Sequence, residues 1–277
     1  MFNFIANIFG YLLNFIYNLF NNYGLAIIIF SILVKLILLP LTIKQQKTME
    51  KTAKLQEEMK SLQFKYKNDP EKLNKEMMDM YKRENMSPFS GCLSSIAQLI
   101  LILAVFYLVR SPLTYMKKVD ANLINDYTAK LEIKTNYPEV EIIKEFGEED
   151  ETIYINMDFL GLDLSSVPTT NLSDYKTLII PVLYVISSII STKLTMNMQN
   201  KNKKEEDKKE DENKEESPEE MMQNTSKTMS YMMPVMAFSI SLVAPLGLAL
   251  YWLMSNILMI IERLFINKIT AKKEETV

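Results

Sequence analysis

The chain contains no histidine, and its one cysteine is Cys92. Without histidine it lacks the commonest general base and the commonest neutral metal ligand. A single cysteine excludes an internal disulfide, and no ligand grouping has metal-site spacing, so no metal or cofactor is expected. No nucleophile–base pair or paired carboxylates stand at catalytic spacing, so the chain does not read as an enzyme. A strong charge of one sign is also missing. With 31 Lys and Arg against 34 Asp and Glu, the net charge of −3 lacks the basic balance of a nucleic-acid binder. Residues 1–34 hold no Lys or Arg, and residues 1–20 show no small-residue cleavage pattern. No cleavable signal peptide is therefore expected.

What is present is apolar sequence in long runs. Mean hydropathy is only −0.01, because highly charged loops dilute the runs. Five candidate spans occupy residues 23–43, 89–110, 177–194, 229–244 and 245–266. The first carries Lys35 near its centre. A cation there costs roughly 2.5–3.5 kcal/mol on insertion scales. Snorkelling would have to cover about 12 Å to the Lys44 end, and a lysine stem spans only part of that. Lys35 therefore points to a water-filled cavity inside the membrane.

Residues 1–22 are amphipathic. Asn3, Asn7, Gly10, Asn14, Asn18 and Asn21 share one helical face, opposite Phe2, Ile5, Phe9, Leu12, Leu13, Ile16 and Phe20. The expectation is an extracytoplasmic helix lying in the membrane interface. The loop at 44–88 is rich in Lys, and the tail at 267–277 is basic near the last span. The positive-inside rule places both in the cytoplasm and the N-terminus outside.

The 44–88 loop reads as a helical hairpin. Asn68-Asp69-Pro70-Glu71 breaks and restarts it, with Asp69 as N-cap and Pro70 at the first helical position. Met59, Met77, Met78 and Met80 in the hairpin are candidate client contacts, because methionine surfaces adapt to varied apolar partners. The competing reading is that they pack the two arms together. Residues 195–228 form a second cytoplasmic loop, nearly all Lys, Glu, Asp and Asn over 201–220, and read as a disordered linker. Residues 111–176 form an external loop with short strands expected at 137–146 and 152–156. Phe159–Leu164 reads as a return along the membrane surface.

Polar residues inside the spans fall in stripes. Ser31, Lys35 and Thr42 share a face of the first span. Ser94, Ser95 and Gln98 cluster in the second. Ser187, Ser188, Ser191, Thr192 and Thr195 do so in the third, and Trp252, Ser255, Asn256, Met259 and Glu262 in the fifth. On the inferred topology these converge on the inner half of the bilayer. They predict a groove open to the cytoplasm and sealed outside, lined by Lys35, Ser31, Gln98, Ser188, Ser191, Trp252, Ser255 and Asn256. Glu262 pairing with Lys35 would satisfy both charges and weaken the attraction for acidic clients; its place near the cytoplasmic end makes this the lesser reading. The competing reading is ordinary interhelical Ser/Thr packing.

Four stretches, in order, resemble the YidC/Oxa/Alb family of membrane protein insertases. They are Tyr23-Gly24-Leu25-Ala26-Ile27-Ile28 with Lys35 and Leu39-Pro40-Leu41-Thr42, the Leu55–Arg83 hairpin, Ser87-Pro88-Phe89-Ser90-Gly91-Cys92-Leu93 with Gln98, and Pro245–Trp252 with Asn256. The resemblance covers most of the chain outside 120–155 and 199–225. It implies an all-α membrane protein of five spans around a cytoplasm-open groove, in a bacterial plasma membrane. It implies a non-enzymatic insertase and chaperone whose clients are nascent membrane proteins. The ribosome, the Sec translocon and membrane lipids are its implied partners, with ribosomal RNA as the one implied contact to nucleic acid. It also implies that a groove cation attracts acidic client residues. That cation is usually arginine, and Lys35 stands at the matching position. Lysine keeps the charge without the bidentate fork. The family's prolines around Gln98 are replaced by Ser94, Ser95 and Leu99, and its usual glutamine late in the last span is matched by Glu262. The alternative reading is a small-anion secondary transporter with Lys35 as its site, against which stands the lack of an internal repeat.

Overall fold

The computed structural model describes residues 2–84, 90–132, 134–170, 174–201, 232 and 234–274. The fold is α-helical. Helix α1 is Phe2–Phe20, α2 Tyr23–Lys65, α3 Pro70–Arg83, α4 Ser90–Arg110, α5 Ala121–Lys130, α6 Pro138–Phe146 and α7 Ile179–Lys201. Helices α8, Pro234–Val243, and α9, Leu246–Glu274, complete it. The strands β1 (Asp158–Phe159) and β2 (Leu162–Asp163) form one two-residue antiparallel ladder.

Among the described residues, three helices are long and apolar enough to cross a membrane: Tyr23–Gln45, Tyr175–Leu194 and Leu246–Phe265. Leu99–Arg110 and Pro234–Val243 are shorter apolar helices. Outward faces carry Leu36 and Ile37 on α2, Ile186 and Ile190 on α7, and Ile261 and Phe265 on α9, all exposed. Hydrocarbon solvates such faces without cost, and water does not.

The chain turns sharply between α1 and α2. Asn21 adopts a left-handed backbone (φ 46°), which asparagine tolerates better than most residues. Asn22 then caps α2 by accepting from the Leu25 N–H at 2.9 Å. Helix α2 continues through Pro40 into the first arm of the hairpin without interruption. The restart falls at Asp69, whose carboxylate accepts from the Lys72 N–H at 3.1 Å, with Pro70 in the first turn.

One end of the bundle is tied by the segment 156–166. The first turns of α2 and α9 leave backbone N–H groups without intrahelical partners. The Tyr23 N–H donates to Asn156 O at 3.0 Å. Those of Leu246 and Gly247 donate to Ser166 O and Leu164 O, each at 2.9 Å. The same loop thus starts both helices side by side. Gly247 lies against Tyr23 and Ile27, so α2 and α9 run in the same direction. Helix α7 packs on α9, with Tyr184 beside Trp252 and Ser191 beside Arg263. It therefore runs the same way too.

The external-loop strands expected at 137–146 and 152–156 are absent. Pro138–Phe146 is helix α6. Pro138 suits a first helical turn, Glu139 and Glu141 complement its dipole, and Val140, Ile142 and Ile143 are buried. The apolar run was read as a strand because a short run carries no decisive period. Residues 152–156 form a turn and extended coil without ladder partners. The Phe159–Leu164 stretch holds the β1–β2 turn, where Leu160 and Gly161 have φ of 55° and 77°.

Helix α1 packs on α4, α2 and the π-helical turn Leu113–Lys117. Its asparagine face meets that turn: Tyr115 donates from its hydroxyl to Asn3 Oδ1 at 3.2 Å, and Lys118 donates to Asn7. Leu13, Ile16 and Tyr17 are buried, while Phe4, Ile8, Tyr11, Phe15 and Leu19 form an exposed apolar stripe.

Candidate functional site: a polar seam and an ion pair on α2, α7 and α9

Near the tied end, the space between α2, α4 and α9 is filled by Ile27, Phe30, Val105, Leu108, Leu246, Leu248, Ala249 and Leu250. Farther along, polar groups take over. The Trp252 ring stacks on Tyr184 with centroids 5.8 Å apart. One helical turn on, Asn256 Nδ2 donates to Ser187 Oγ at 3.4 Å. Beyond it Arg263 Nη1 donates to the Ser191 carbonyl at 3.3 Å. Side chains three or four residues apart share a helix face, so these contacts form one seam between α7 and α9.

Across that seam, Lys35 Nζ on α2 lies 2.6 Å from Glu262 Oε2 on α9. The lysine side chain is 27% exposed and the glutamate 6%. The pairing that the sequence makes the lesser reading is thus the one formed, which corrects the placement of Glu262 beyond the reach of Lys35. Measured from the tied end, Lys35 lies about 18 Å beyond Tyr23, and Glu262 about 22 Å beyond Gly247. The four-carbon lysine stem covers the offset. Counting residues along separate helices omitted both the stagger of α2 against α9 and the reach of the side chain.

The other groove candidates divide by burial. Ser188, Trp252, Ser255 and Asn256 are half-buried. Ser31 and Ser191 are buried, and the Ser31 hydroxyl donates to Ile27 O of its own helix at 2.7 Å. Ser31 thus sits in helix packing. Gln98, Ser94 and Ser95 lie in α4, but their side chains fall outside the described residues. In the hairpin, Met80 is buried between the arms and Met59 accepts from the Tyr81 hydroxyl at 3.7 Å. Both serve arm packing, as Arg83 does by pairing with Glu58. Met77 is half-buried and Met78 half-exposed. Arg263 is absent from the polar stripe assigned to the fifth span in the sequence. Its spacing of seven from Asn256 is the signal that both lie on one face of α9.

A family model described as 60Kd inner membrane protein matches residues 15–274. The chain belongs to the YidC/Oxa/Alb family. Its curated relatives include a chain from Treponema denticola, 29% identical over 97% of this chain and 38% of the relative. One from Fusobacterium nucleatum subsp. nucleatum is 28% identical over 97% of both chains. One from Prosthecochloris aestuarii is 30% identical over 92% of this chain and 34% of the relative. Each of these is named a membrane protein insertase. The chain thus spans little more than a third of the Treponema and Prosthecochloris relatives and nearly all of the Fusobacterium one. The match takes in Lys35 and Glu262 together, so the ion pair lies inside the family's shared region.

Proposed function

We propose that the chain is a membrane protein insertase that passes short hydrophilic segments of nascent membrane proteins through the α2–α7–α9 groove. The observation that carries this reading is the change of lining along the bundle. An apolar plug fills the tied end, and a half-buried polar belt with a partly exposed Lys35 follows it.

Such a belt acts as a stepping stone. A charged client residue at the bilayer centre costs roughly 2.5–3.5 kcal/mol on insertion scales. Hydrogen-bonding groups at Ser188, Ser255 and Asn256, with the Lys35 cation, lower that cost for the segment. The client's apolar part meanwhile meets lipid at the groove's open side. Nothing covalent changes, so the acceleration comes from solvating the crossing segment.

The topology proposed is five spans. Because α2, α7 and α9 run in parallel, the chain must return between them. Apolar helices α4 and α8 are the returning crossings, α4 ending beside α1 and the start of α2. The Lys-rich hairpin then lies in the cytoplasm, and the loop 111–176 and α1 lie outside, with α1 in the interface. Met77 and Met78 offer the hairpin's contact surface for clients. Ribosome and Sec translocon are the assisting partners.

The test is site-specific photocrosslinking to a stalled nascent single-span protein. Probes at Trp252, Ser255 and Gln98 are expected to capture the client. Probes at Ile37 or Ile186, on outward faces, are expected to capture lipid. Equal client capture at both sets, or none at either, would remove the groove from the mechanism.

A further inference from the structure

Glu262 is a carboxylate in an apolar helix, and only one of its oxygens is satisfied. Oε2 takes Lys35 Nζ at 2.6 Å, whereas Oε1 is buried and meets no donor among the described residues. The neighbouring cation, Arg263, acts on Glu262 at longer range. Arg263 turns to α7 and donates to the Ser191 carbonyl. Glu262 therefore depends on Lys35, because a buried carboxylate without a partner is strongly disfavoured.

The dependence is one-sided. The Lys35 ammonium carries three N–H donors, and its side chain keeps 27% exposure, against 6% for Glu262. A carboxylate arriving along the groove can reach Lys35. Glu262 cannot leave, being fixed on α9. The two acids then compete for one cation.

Resting on the insertase reading above, we infer that Glu262 is a resident counter-ion that holds Lys35 between clients and recaptures its ammonium to expel them. It is a specificity-determining residue acting through Lys35. With Glu262 present the charge of Lys35 is offset, so a weakly acidic segment gains little from Lys35 by entering, and a bound one is released when the pair re-forms. Without it, Lys35 is a standing anion site. Lysine suits this exchange better than arginine would. A rotatable ammonium can shift between two acceptors, while a bidentate guanidinium–carboxylate fork resists it.

The experiment uses the full chain in proteoliposomes and two matched single-span clients, differing by Asp or Asn in the short translocated tail. Insertion gives the Asp/Asn ratio, and timed crosslinking from Ser255 gives client residence. Glu262→Gln is expected to raise the ratio about two- to fivefold, the range for a partly solvated ion pair, and to lengthen residence of the Asp client alone. Glu262→Asp, which retains the charge on a shorter stem, should fall between. It also serves alone if the Gln variant fails to accumulate. An unchanged ratio and residence in whichever variant accumulates would show a purely structural pair and overturn the inference. Lys35→Gln separates the two readings. Loss of Asp preference there, with no change in the Glu262 variants, overturns the counter-ion role and leaves the insertase reading standing. Insertion of neither client by the native chain overturns both.

Discussion

The carboxylate of Glu139, in the first turn of α6, accepts from both the backbone N–H and the hydroxyl of Thr114, at 2.9 and 2.7 Å. Thr114 lies in the π-helical turn after α4, so this clasp fixes the loop against the end of α4. Glu139→Ala is expected to cost about 1–3 kcal/mol, the range for leaving a buried partner unpaired. A lower thermal midpoint of the detergent-solubilised protein would show it.

The same residue predicts a pH slope. Burial pushes the Glu139 carboxyl above its ordinary value, although the Thr114 bonds pull it down. A raised folded-state value means the folded protein holds a proton that the unfolded chain has lost. The stability this group contributes is present below the ordinary carboxylate value and is lost as pH rises through the raised value. Across that window the native protein's midpoint should fall with rising pH more steeply than that of Glu139→Gln, compared by thermal scans at several pH values.

Gly10 brings α1 against the π-helical turn. A Cβ there would lie 1.8 Å from the Tyr115 carbonyl oxygen. Backbone cannot step aside, so Gly10→Ala should cost about 1–3 kcal/mol through overpacking. Gly247→Ala is the control. Its Cβ would meet Tyr23 Cε1 at 3.3 Å and Ile27 Cδ1 at 3.6 Å, which are side-chain atoms able to shift. It should accumulate at native levels while Gly10→Ala does not.

Lys35→Arg should retain insertion of acidic clients, and Lys35→Ala and Lys35→Glu should lose it. Breaking a fully buried pair costs about 3–5 kcal/mol, and less here because Lys35 is partly solvated. Insertion is therefore measured per unit of accumulated protein. Equal insertion by all three variants would end the electrostatic role.

Cysteines at Ser188 and Ser255, in a Cys92→Ser background, should react with an impermeant thiol reagent added on the hairpin side only. A cysteine at Ser31 should stay silent from both sides, since that position is buried. Labelling of Ser255→Cys from the loop side would mean an open pore.

The sequence by itself determined the α-helical membrane class, because apolar length and charge placement are local properties of the chain. The same holds for the Asp69–Pro70 restart, where cap and first turn lie within three residues of each other. Lys35 was conspicuous because a cation in an apolar run is costly wherever its neighbours lie. Its partner was decided only by tertiary structure. Glu262 is more than two hundred residues away in the chain, and its reach depends on how the 156–166 loop sets the stagger of α2 against α9. Burial was likewise a tertiary outcome. Ser31 and Ser255 look alike in their stripes, yet one is sealed in packing and the other half-exposed, because a helical period identifies a face but not what covers it. Pro138–Phe146 was undecidable for the related reason that a short apolar run has too few turns to reveal its period, and it became a helix where Val140, Ile142 and Ile143 found a common core.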